Sequence, residues 1–428
     1  MLKKLPLIIT LFACTLIHAQ SYTSFFTGDT ADVNPSPDFG ICLMGGATEN
    51  DNAMIWFLEK ANGGDVLVLR ASGSDGYNDY FFSELGVTIN SVETIVINNA
   101  SGATEPYVLQ QIANAEAIWF AGGDQYNYVS FFQDTEVATL LTNHVVQKGA
   151  AIGGTSAGMA ILGDHYFSAE NGTVTSQEAL QNPYDARVAI GSQDFIQLPF
   201  LAHTITDTHF DNPDRRGRSA AFLARIATDF QVRSFGIASE EFTAVCIEEN
   251  GQARVFGSYP SFEDFAYFMQ ANCSDNFTPE NCTAGNPLEW NRNGEAIKVY
   301  KVPGTEDGSN YLDLIDWETG TGGAWEDWAV INGNLQTLSG NSPDCSNLSV
   351  EDALANTIST FPNPFTTHID IEVQAEAIYT LYSIHGQPIM EGNLLTQKII
   401  DTKALASGIY FLQLKSNNRT EVRKLIKK

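Results

Sequence analysis

Short apolar runs alternate with longer amphipathic stretches from Phe39 to about Gly257. The predicted strands are the runs at 40–46, 65–71, 93–99, 117–123 and 150–154. The predicted helices lie between them, at Asn52–Ala61, Tyr77–Gly86, Pro106–Ala115 and Val129–Lys148. This alternation predicts an α/β fold, a mostly parallel sheet with helices on both faces. In such sheets the functional site lies beyond the carboxyl ends of the strands.

The pattern changes from Glu240 onward. Residues 242–257 read as a β-hairpin that turns at Asn250-Gly251. Residues 283–345 are rich in Gly, Asn and Trp and predict an irregular, partly β extension of the same domain, which would span 21–345. A polar linker at 346–357 leads to strands and turns at 358–428, which predict a small all-β sandwich.

The amino terminus has the pattern of a secretory signal peptide at residues 1–20. Lys3 and Lys4 precede an apolar run from Leu5 to Ile17, and the small Ala19 closes the segment. The alternative is a membrane anchor, but the apolar run is shorter than the ~20 residues that span a bilayer. We expect a secreted chain without stable membrane insertion, since no later segment is long and apolar enough to span.

The charge balance limits the partners that the chain can have. Its 428 residues include 23 basic and 51 acidic side chains, which give a formal net charge of −28. Such a chain repels the phosphate backbone, so we expect no nucleic-acid partner. The oligomeric state is left open, with a homodimer among the alternatives.

Six cysteines are present, and Cys14 belongs to the predicted signal peptide. Cys42 and Cys246 lie in apolar, strand-like runs and are predicted to be buried free thiols. The other three, Cys273, Cys282 and Cys345, lie in polar sequence. A disulfide among these three suits an oxidising compartment, with Cys273–Cys282 as the simplest pair. The cysteines have no metal-ligand spacing.

Residues 154–158, Gly-Thr-Ser-Ala-Gly, fit the G-x-S-x-G pattern and lie between a predicted strand and a short helix. A serine on such a tight turn exposes its hydroxyl, and only small flanking residues avoid clashes there. The helix amino terminus then offers N–H groups to a developing oxyanion. Ser156 is therefore the candidate nucleophile.

A nucleophilic serine needs a base, and histidine is the usual one. Five of the seven histidines are set aside by their positions: His18, His144, His165, His368 and His385. His203 and His209 remain. His209 has the more polar surroundings, with an aspartate and three arginines close by, and is the predicted base.

The third member of a triad orients the imidazole and stabilises its charged form. Glu240 and Glu241 lie at the end of a predicted strand, where a side chain can reach across the site. Asp207 and Asp211 are rivals, although their closeness in sequence to His209 is unfavourable for the geometry.

Four motifs together resemble the cyanophycinase and dipeptidase E family of serine peptidases. They are GGTSAG around Ser156, AGGDQ at 121–125, DTHFDNPDRRGR at 207–218 and GIASEEFTA at 236–244. The resemblance spans about residues 39–300 and keeps the family's order of serine, histidine, acid. It implies a fold like that of class I glutamine amidotransferases.

The resemblance also implies roles for individual residues. Ser156 would be the nucleophile, His209 the base and Glu241 the orienting acid. The N–H groups of Gly123 and Ala157 would form the oxyanion hole. The substrate-binding residues would be Gln125, Asp207, Thr208, Arg215 and Arg218. No metal and no organic cofactor is implied.

The implied substrate is a peptide or polypeptide with an acidic residue at the scissile bond, foremost a cyanophycin-like β-Asp-Arg polymer. Two positions depart from the cyanophycinase pattern: Thr208 replaces a glutamine, and Pro213 replaces the first of three arginines. Arg216 matches no motif position and is expected to begin an exposed helix. An aspartyl dipeptidase, a surface-displayed binding protein without catalysis and an α/β-hydrolase esterase are the alternatives.

Residues from about 356 to 428 resemble the C-terminal sorting domain of Bacteroidetes type IX secretion cargo. The phrases FPNPF, LYSIHGQ, ASGIYFLQL and the terminal KLIKK carry this resemblance. It implies the type IX secretion machinery as a partner and export through the outer membrane, usually with removal of the domain. The alternative is an ordinary carbohydrate-binding or adhesive β-module.

Overall fold

A computed structural model describes residues 20–273, 276–345, 359–361, 365–372, 377–383, 388–394, 397–416 and 419–428. The chain divides into two compact units, Met1–Asn272 with Phe277–Pro343 and Cys273–Asn276 with Asp344–Lys428. The predicted signal peptide at 1–20, except Gln20, and the predicted linker at 346–357 lie outside the described residues.

The first unit contains both helices and strands. Its helices are α1 (Asp51–Glu59), α2 (Pro106–Asn114), α3 (Gln125–Phe132), α4 (Glu136–Val146), α5 (Ala157–Ala160), α6 (Ser176–Gln181) and α7 (Arg216–Asp229). Its strands are β1 (Tyr22–Gly28), β2 (Gly40–Met44), β3 (Asp65–Arg70), β4 (Ser91–Ile97), β5 (Ala117–Phe120), β6 (Ala151–Thr155), β7 (His165–Phe167), β8 (Ile190–Ser192), β9 (Thr204–Asp207), β10 (Phe235–Ser239), β11 (Ala244–Ile247), β12 (Gln252–Phe256), β13 (Phe265–Ala271), β14 (Ile297–Pro303), β15 (Tyr311–Asp313), β16 (Gly320–Thr321), β17 (Ala324–Ile331) and β18 (Asn334–Ser339). Among the helices of the described residues, none has the length and apolarity needed to cross a bilayer.

The first sheet contains the five strands that the apolar runs predict. Its order is β1-β4-β3-β5-β6-β2-β11-β12-β15-β16, and the segment from β4 to β2 is parallel throughout. Antiparallel strands extend this segment at both edges. The α/β fold with a parallel sheet is therefore confirmed.

The parallel strands are buried on both faces, as their nearly continuous apolar sequences require. On β3, Leu67 and Leu69 pack with the core against α2, α3 and α4. The alternate residues, Val66 and Val68, pack with α1 on the opposite face. Because neighbouring strand residues point to opposite faces, one short apolar run supplies two cores, and the predicted helices on both faces are confirmed.

Two predicted helices differ from the structure. The stretch 77–86 forms a short π-helical turn at Tyr80–Glu84. The stretch 129–148 is divided between α3 and α4, because Asp134 has a φ of 58° and interrupts the helical path.

A second sheet has the order β18-β17-β14-β13-β10-β9-β7-β8. Strands β7, β9 and β10 are parallel, and β13, β14, β17 and β18 extend them in antiparallel fashion. Residues 283–345, expected to be an irregular, partly β extension, supply regular strands to both sheets. The hairpin at 242–257 is formed by β11 and β12, with Gly251 at a φ of 85° in its turn.

The second unit is all-β in its described residues. Its strands are β19 (Ser359–Phe361), β20 (His368–Glu372), β21 (Ala377–Ser383), β22 (Pro388–Leu394), β23 (Gln397–Asp401), β24 (Gly408–Ser416) and β25 (Arg419–Lys427). They form two sheets, β19-β20-β23 and β22-β21-β24-β25. Side chains of both sheets share one core, including Ile369, Ile400 and Leu412. The predicted small β-sandwich is confirmed.

The cysteines follow the prediction only in part. Cys42 and Cys246 face each other across β2 and β11 as buried free thiols, with their Sγ atoms 3.7 Å apart. The predicted Cys273–Cys282 pair is wrong, because Cys273 forms a disulfide with Cys345. Cys282 is a buried free thiol in the apolar core that α7 and β14 share, which keeps it away from Cys273.

Candidate active site

Ser156 lies in the turn between β6 and α5, with φ 51° and ψ −117°. A positive φ is uncommon for a residue with a side chain and marks a backbone held in place by its surroundings. A Cβ at Gly158 would lie 2.2 Å from the carbonyl oxygen of Phe120, and one at Gly154 would lie 2.6 Å from the carbonyl carbon of Gly158. Only glycine fits at either flank, as a strand–serine–helix elbow requires.

His209 and Glu241 complete a hydrogen-bonded chain that begins at Ser156. The Oγ of Ser156 lies 2.8 Å from Nε2 of His209, and Nδ1 of His209 lies 2.7 Å from Oε1 of Glu241. His209 follows β9 and Glu241 follows β10. Because β9 and β10 are parallel neighbours, their carboxyl ends lie at the same edge of the sheet. The structure thus brings together the three residues that the sequence places in a triad.

The last residue of β2 and the loop after it hold all three segments in place, and sequence reasoning missed this feature. The carbonyl oxygens of Met44, Gly45 and Gly46 accept the N–H groups of Ser156, His209 and Phe242, at 3.1, 2.9 and 3.1 Å. A Cβ at Gly46 would lie 2.4 Å from Nε2 of His209, so only glycine allows the ring to pack there. The signal in the sequence was the Gly45-Gly46 pair at the end of the predicted strand 40–46. The predicted strands 117–123 and 150–154 end in Gly-Gly pairs of the same kind.

Glu240 and Asp211, the alternatives to Glu241 as third member of the triad, have other hydrogen-bond partners. Glu240 accepts hydrogen bonds from the Phe265 N–H at 2.9 Å and the Tyr267 hydroxyl at 2.8 Å. Burial raises the pKa of Glu240 to about 7, and the charge of Asp211 acts in the same direction. Asp211 accepts the backbone N–H of Glu241 at 3.0 Å and so helps to position the carboxylate that faces His209.

The AGGDQ loop lies beside Ser156, between β5 and α3. A Cβ at Gly122 would lie 3.5 Å from Cβ of Ser156, and Gly123 has a φ of 148°. Asp124 caps α3 by accepting the N–H of Tyr126. Gln125 is half-buried, and its amide nitrogen lies 3.4 Å from the carbonyl oxygen of Phe167. Its role in substrate binding stays a prediction.

Two family models match separate parts of the chain. Residues 71–255 match Peptidase family S51, and this stretch holds Ser156, His209 and Glu241. We refer to the matched stretch, residues 71–255, as the S51 domain. Residues 359–428 match the Secretion system C-terminal sorting domain, which supports secretion to the cell surface.

Curated relatives of this S51 domain are described as cyanophycinases. That of Synechococcus elongatus is 25% identical over 181 residues, 42% of this chain and 50% of the relative. That of Trichormus variabilis is 26% identical over 176 residues, 41% of this chain and 53% of the relative. The chain thus spans about half the length of these relatives. A crystal structure of a peptidase from an acI-B1 Actinobacterium covers 53% of this chain and 90% of its own, with 16% identity and a TM-score of 0.40.

Asp207 and Arg218 of the S51 domain bind each other in the interior. They are 3% and 4% exposed, and the guanidinium donates from Nε and Nη2 to the two carboxylate oxygens. Burial alone would raise the pKa of Asp207, but the charge of Arg218 outweighs burial and holds that pKa below its usual range. Their predicted contact with substrate is not supported, since both charged groups are already paired and excluded from solvent. The pair instead helps to fix the backbone at Thr208, because the Thr208 N–H donates to the carboxylate of Asp207 at 2.8 Å.

Arg215 of the S51 domain lies closer to the candidate triad. It is half-buried and donates from Nη1 to the carbonyl oxygen of Thr208 at 2.8 Å, next to His209. The Thr208 residue is itself 4% exposed. Arg216 begins α7, with 41% of its side chain exposed, and pairs with Asp214. This position agrees with the helix start expected for it.

The buried pair generates a stability prediction. Asp207→Asn leaves the Arg218 charge buried without its counter-ion, so we expect a loss of about 3–5 kcal/mol in the free energy of unfolding. The matched control is Asp214→Asn, which breaks the exposed pair with Arg216 and should cost about 0–1 kcal/mol. Urea denaturation of the three proteins measures both losses. Equal losses in the two variants would contradict the importance of burial.

Glu240 generates a pH prediction. Its pKa is raised in the folded state, so the protonated form stabilises the fold below the ordinary pKa, and this stability is lost as pH rises through about 7. Glu240→Gln keeps the neutral form at every pH. Between pH 5 and pH 8, the wild type should lose on the order of 2 kcal/mol more unfolding free energy than this variant. Parallel slopes of unfolding free energy against pH would refute the raised pKa.

Proposed function

We propose that the S51 domain is a serine-type peptidase in which Ser156, His209 and Glu241 act as one unit. The observation that carries the proposal is the unbroken hydrogen-bond chain from Ser156 through both nitrogens of His209 to Glu241. A serine hydroxyl is a weak nucleophile by itself, and a base in hydrogen-bond contact activates it. The family match and the names of the relatives support the same activity.

The reaction follows from the order of these contacts. Ser156 Oγ attacks the scissile carbonyl carbon while its proton moves to Nε2 of His209. Glu241 accepts the Nδ1–H of His209, which fixes the tautomer and stabilises the imidazolium. His209 then gives its proton to the leaving amine as the peptide bond breaks. A water molecule, deprotonated by His209, then attacks the acyl-enzyme ester. The bond from the acyl carbon to Ser156 Oγ breaks as His209 returns the proton to Oγ, which releases the carboxylic acid and regenerates the serine.

The N–H groups of Gly123 and Ala157 are proposed to bind the oxyanion of the tetrahedral intermediate. Ser156 uses its own N–H in the bond to the Met44 carbonyl, so it is not available for this role. Ala157 opens α5, where first-turn N–H groups lack intrahelical partners. The loop of Gly122 and Gly123 lies against the side chain of Ser156. Donors fixed before the reaction stabilise developing charge most effectively.

The proposed substrate has an acidic residue at the scissile bond, with a cyanophycin-like β-Asp-Arg polymer as the first choice. The names of the relatives support this choice. Of the two arginines predicted to bind substrate, Arg215 is the one proposed to recognise a substrate carboxylate, since Arg218 is committed to Asp207. Gln125, at the start of α3, is proposed to hold the substrate from the opposite side.

An aspartyl dipeptidase is the second candidate. The pairing of Arg218 with Asp207 and the presence of Pro213 leave fewer cations than a site for a polymer with repeated carboxylates would use. A short acidic peptide needs fewer such contacts, because bidentate arginine clamps act on one carboxylate each.

The proposed route of export begins with a signal peptide at 1–20 and ends with the type IX secretion machinery. The sorting-domain match at 359–428 supports the second step. The acidic composition of the chain, with a net charge of −28, suits a protein that stays dispersed outside the cell.

A fluorophosphonate probe tests the nucleophile. We expect covalent labelling of the wild type and none of Ser156→Ala, because the probe reacts with a serine that a base activates. Ser72→Ala is the matched control, an exposed hydroxyl near Gly123 that should leave labelling unchanged. Equal labelling of the wild type and Ser156→Ala would refute the peptidase and favour a binding protein of the same fold.

Incubation with insoluble cyanophycin tests the substrate. We expect the wild type to release soluble dipeptide and Ser156→Ala to release none, since the same serine must attack the polymer. The released dipeptide is measured by mass spectrometry. Cleavage of short aspartyl peptides without release from the polymer would contradict the first choice and establish the dipeptidase instead.

A further inference from the structure

Asp164, His165 and His203 form a cluster away from the candidate triad. Asp164 directly precedes β7, His165 is the first residue of β7, and His203 directly precedes β9. The triad histidine follows the other end of β9, so the strand separates the two groups. One ligand atom from each of the three residues lies within 4.8 Å of the other two.

The two imidazoles have nitrogen atoms without partners. His165 is 1% exposed, and neither of its ring nitrogens has a hydrogen-bond partner among the described residues. Nδ1 of His203 is also buried and unpartnered within the same part of the chain. Buried polar atoms are nearly always satisfied in folded proteins, so three such atoms at one place indicate a group that binds between them.

The carboxylate of Asp164 is held toward the imidazoles. Its Oδ2 accepts the backbone N–H of His203 at 2.8 Å and the side-chain amide of Gln193 at 3.1 Å. The same oxygen lies 3.9 Å from Nδ1 of His203. Both donors come from residues in the left-handed region, with φ values of 56° for His203 and 55° for Gln193. The local backbone therefore adopts an unfavourable conformation that fixes the orientation of the carboxylate.

We propose that Asp164, His165 and His203 bind one Zn²⁺ ion. Two imidazoles and one carboxylate are a ligand set that zinc accepts, whereas Ca²⁺ and Mg²⁺ prefer oxygen ligands alone. The hydrogen bonds from Gln193 and the His203 backbone orient the carboxylate as outer contacts of metal sites do. The side chain of His203 is 39% exposed, which leaves an entry path and room for water as the fourth ligand.

The bound ion would join two neighbouring strands of the second sheet. His165 pairs with Ile205 across β7 and β9, and His203 lies immediately before β9. The ion therefore fixes the amino end of the strand whose carboxyl end leads to His209. We assign it a structural role, because the reacting atoms of the triad lie beyond the opposite end of this strand.

The test uses the full-length chain after removal of metal by a chelator. Zn²⁺ is titrated by calorimetry, and Co²⁺ is added separately to read the intense visible absorption of a tetrahedral site. His203→Gln removes a half-exposed ligand and should fold, and Asp164→Asn keeps the side-chain shape as a second variant. His368→Gln is the matched control, because it removes an exposed histidine of the other unit.

We expect the wild type and His368→Gln to bind one Zn²⁺ per chain and to show a thermal midpoint raised by several degrees. Binding by His203→Gln and Asp164→Asn should be weaker by about tenfold or more, without the Co²⁺ absorption. Fluorophosphonate labelling of Ser156 is recorded in the same samples and reports on the peptidase proposal separately. Equal Zn²⁺ binding by the wild type and both ligand variants, or no binding by the wild type, would overturn the site.

Discussion

Three consecutive carbonyl oxygens at the end of β2 determine where the candidate catalytic groups lie. Those of Met44, Gly45 and Gly46 accept N–H groups from the segments that carry Ser156, His209 and Glu241. The three segments come from two different sheets: Ser156 follows β6 of the first, and His209 and Glu241 follow the neighbouring strands β9 and β10 of the second. These carbonyl oxygens therefore link the serine of one sheet to the histidine and the glutamate of the other. Glycine at position 46 is essential to the arrangement, because the imidazole ring packs where a Cβ would stand.

A buried ion pair between Asp207 and Arg218 also supports this arrangement. Asp207 ends β9 just before the turn of His209, and its ion pair with Arg218 of α7 anchors that turn to the helix. A buried ion pair contributes little net stability compared with an apolar pair, but each partner becomes indispensable once the other is present. The arginine therefore acts through the position of the turn, whereas a substrate-binding arginine would have to present its charge to solvent.

Local patterns in the sequence predicted the parallel strands well, because each is a short apolar run that ends in glycine or polar residues. The G-x-S-x-G pattern around Ser156 also predicted the turn on which the serine lies, since only small residues fit a strand–serine–helix turn. The choice of Glu241 over Glu240 required the family resemblance: the two residues are adjacent, and only the paths of β10 and β13 determine which carboxylate is buried. The second sheet, the Cys273–Cys345 disulfide and the Asp207–Arg218 pair depend on contacts between distant residues, which periodicity does not encode.

We propose that Ser156 is activated by His209 and faces an oxyanion site made by Gly123 and Ala157. A crystal structure of the full chain after reaction with a fluorophosphonate measures all of these at once. We expect phosphorus bonded to Ser156 Oγ, with a phosphoryl oxygen in hydrogen-bond contact with the N–H groups of Gly123 and Ala157. Phosphorus on another residue, or a phosphoryl oxygen turned away from both N–H groups, would contradict it.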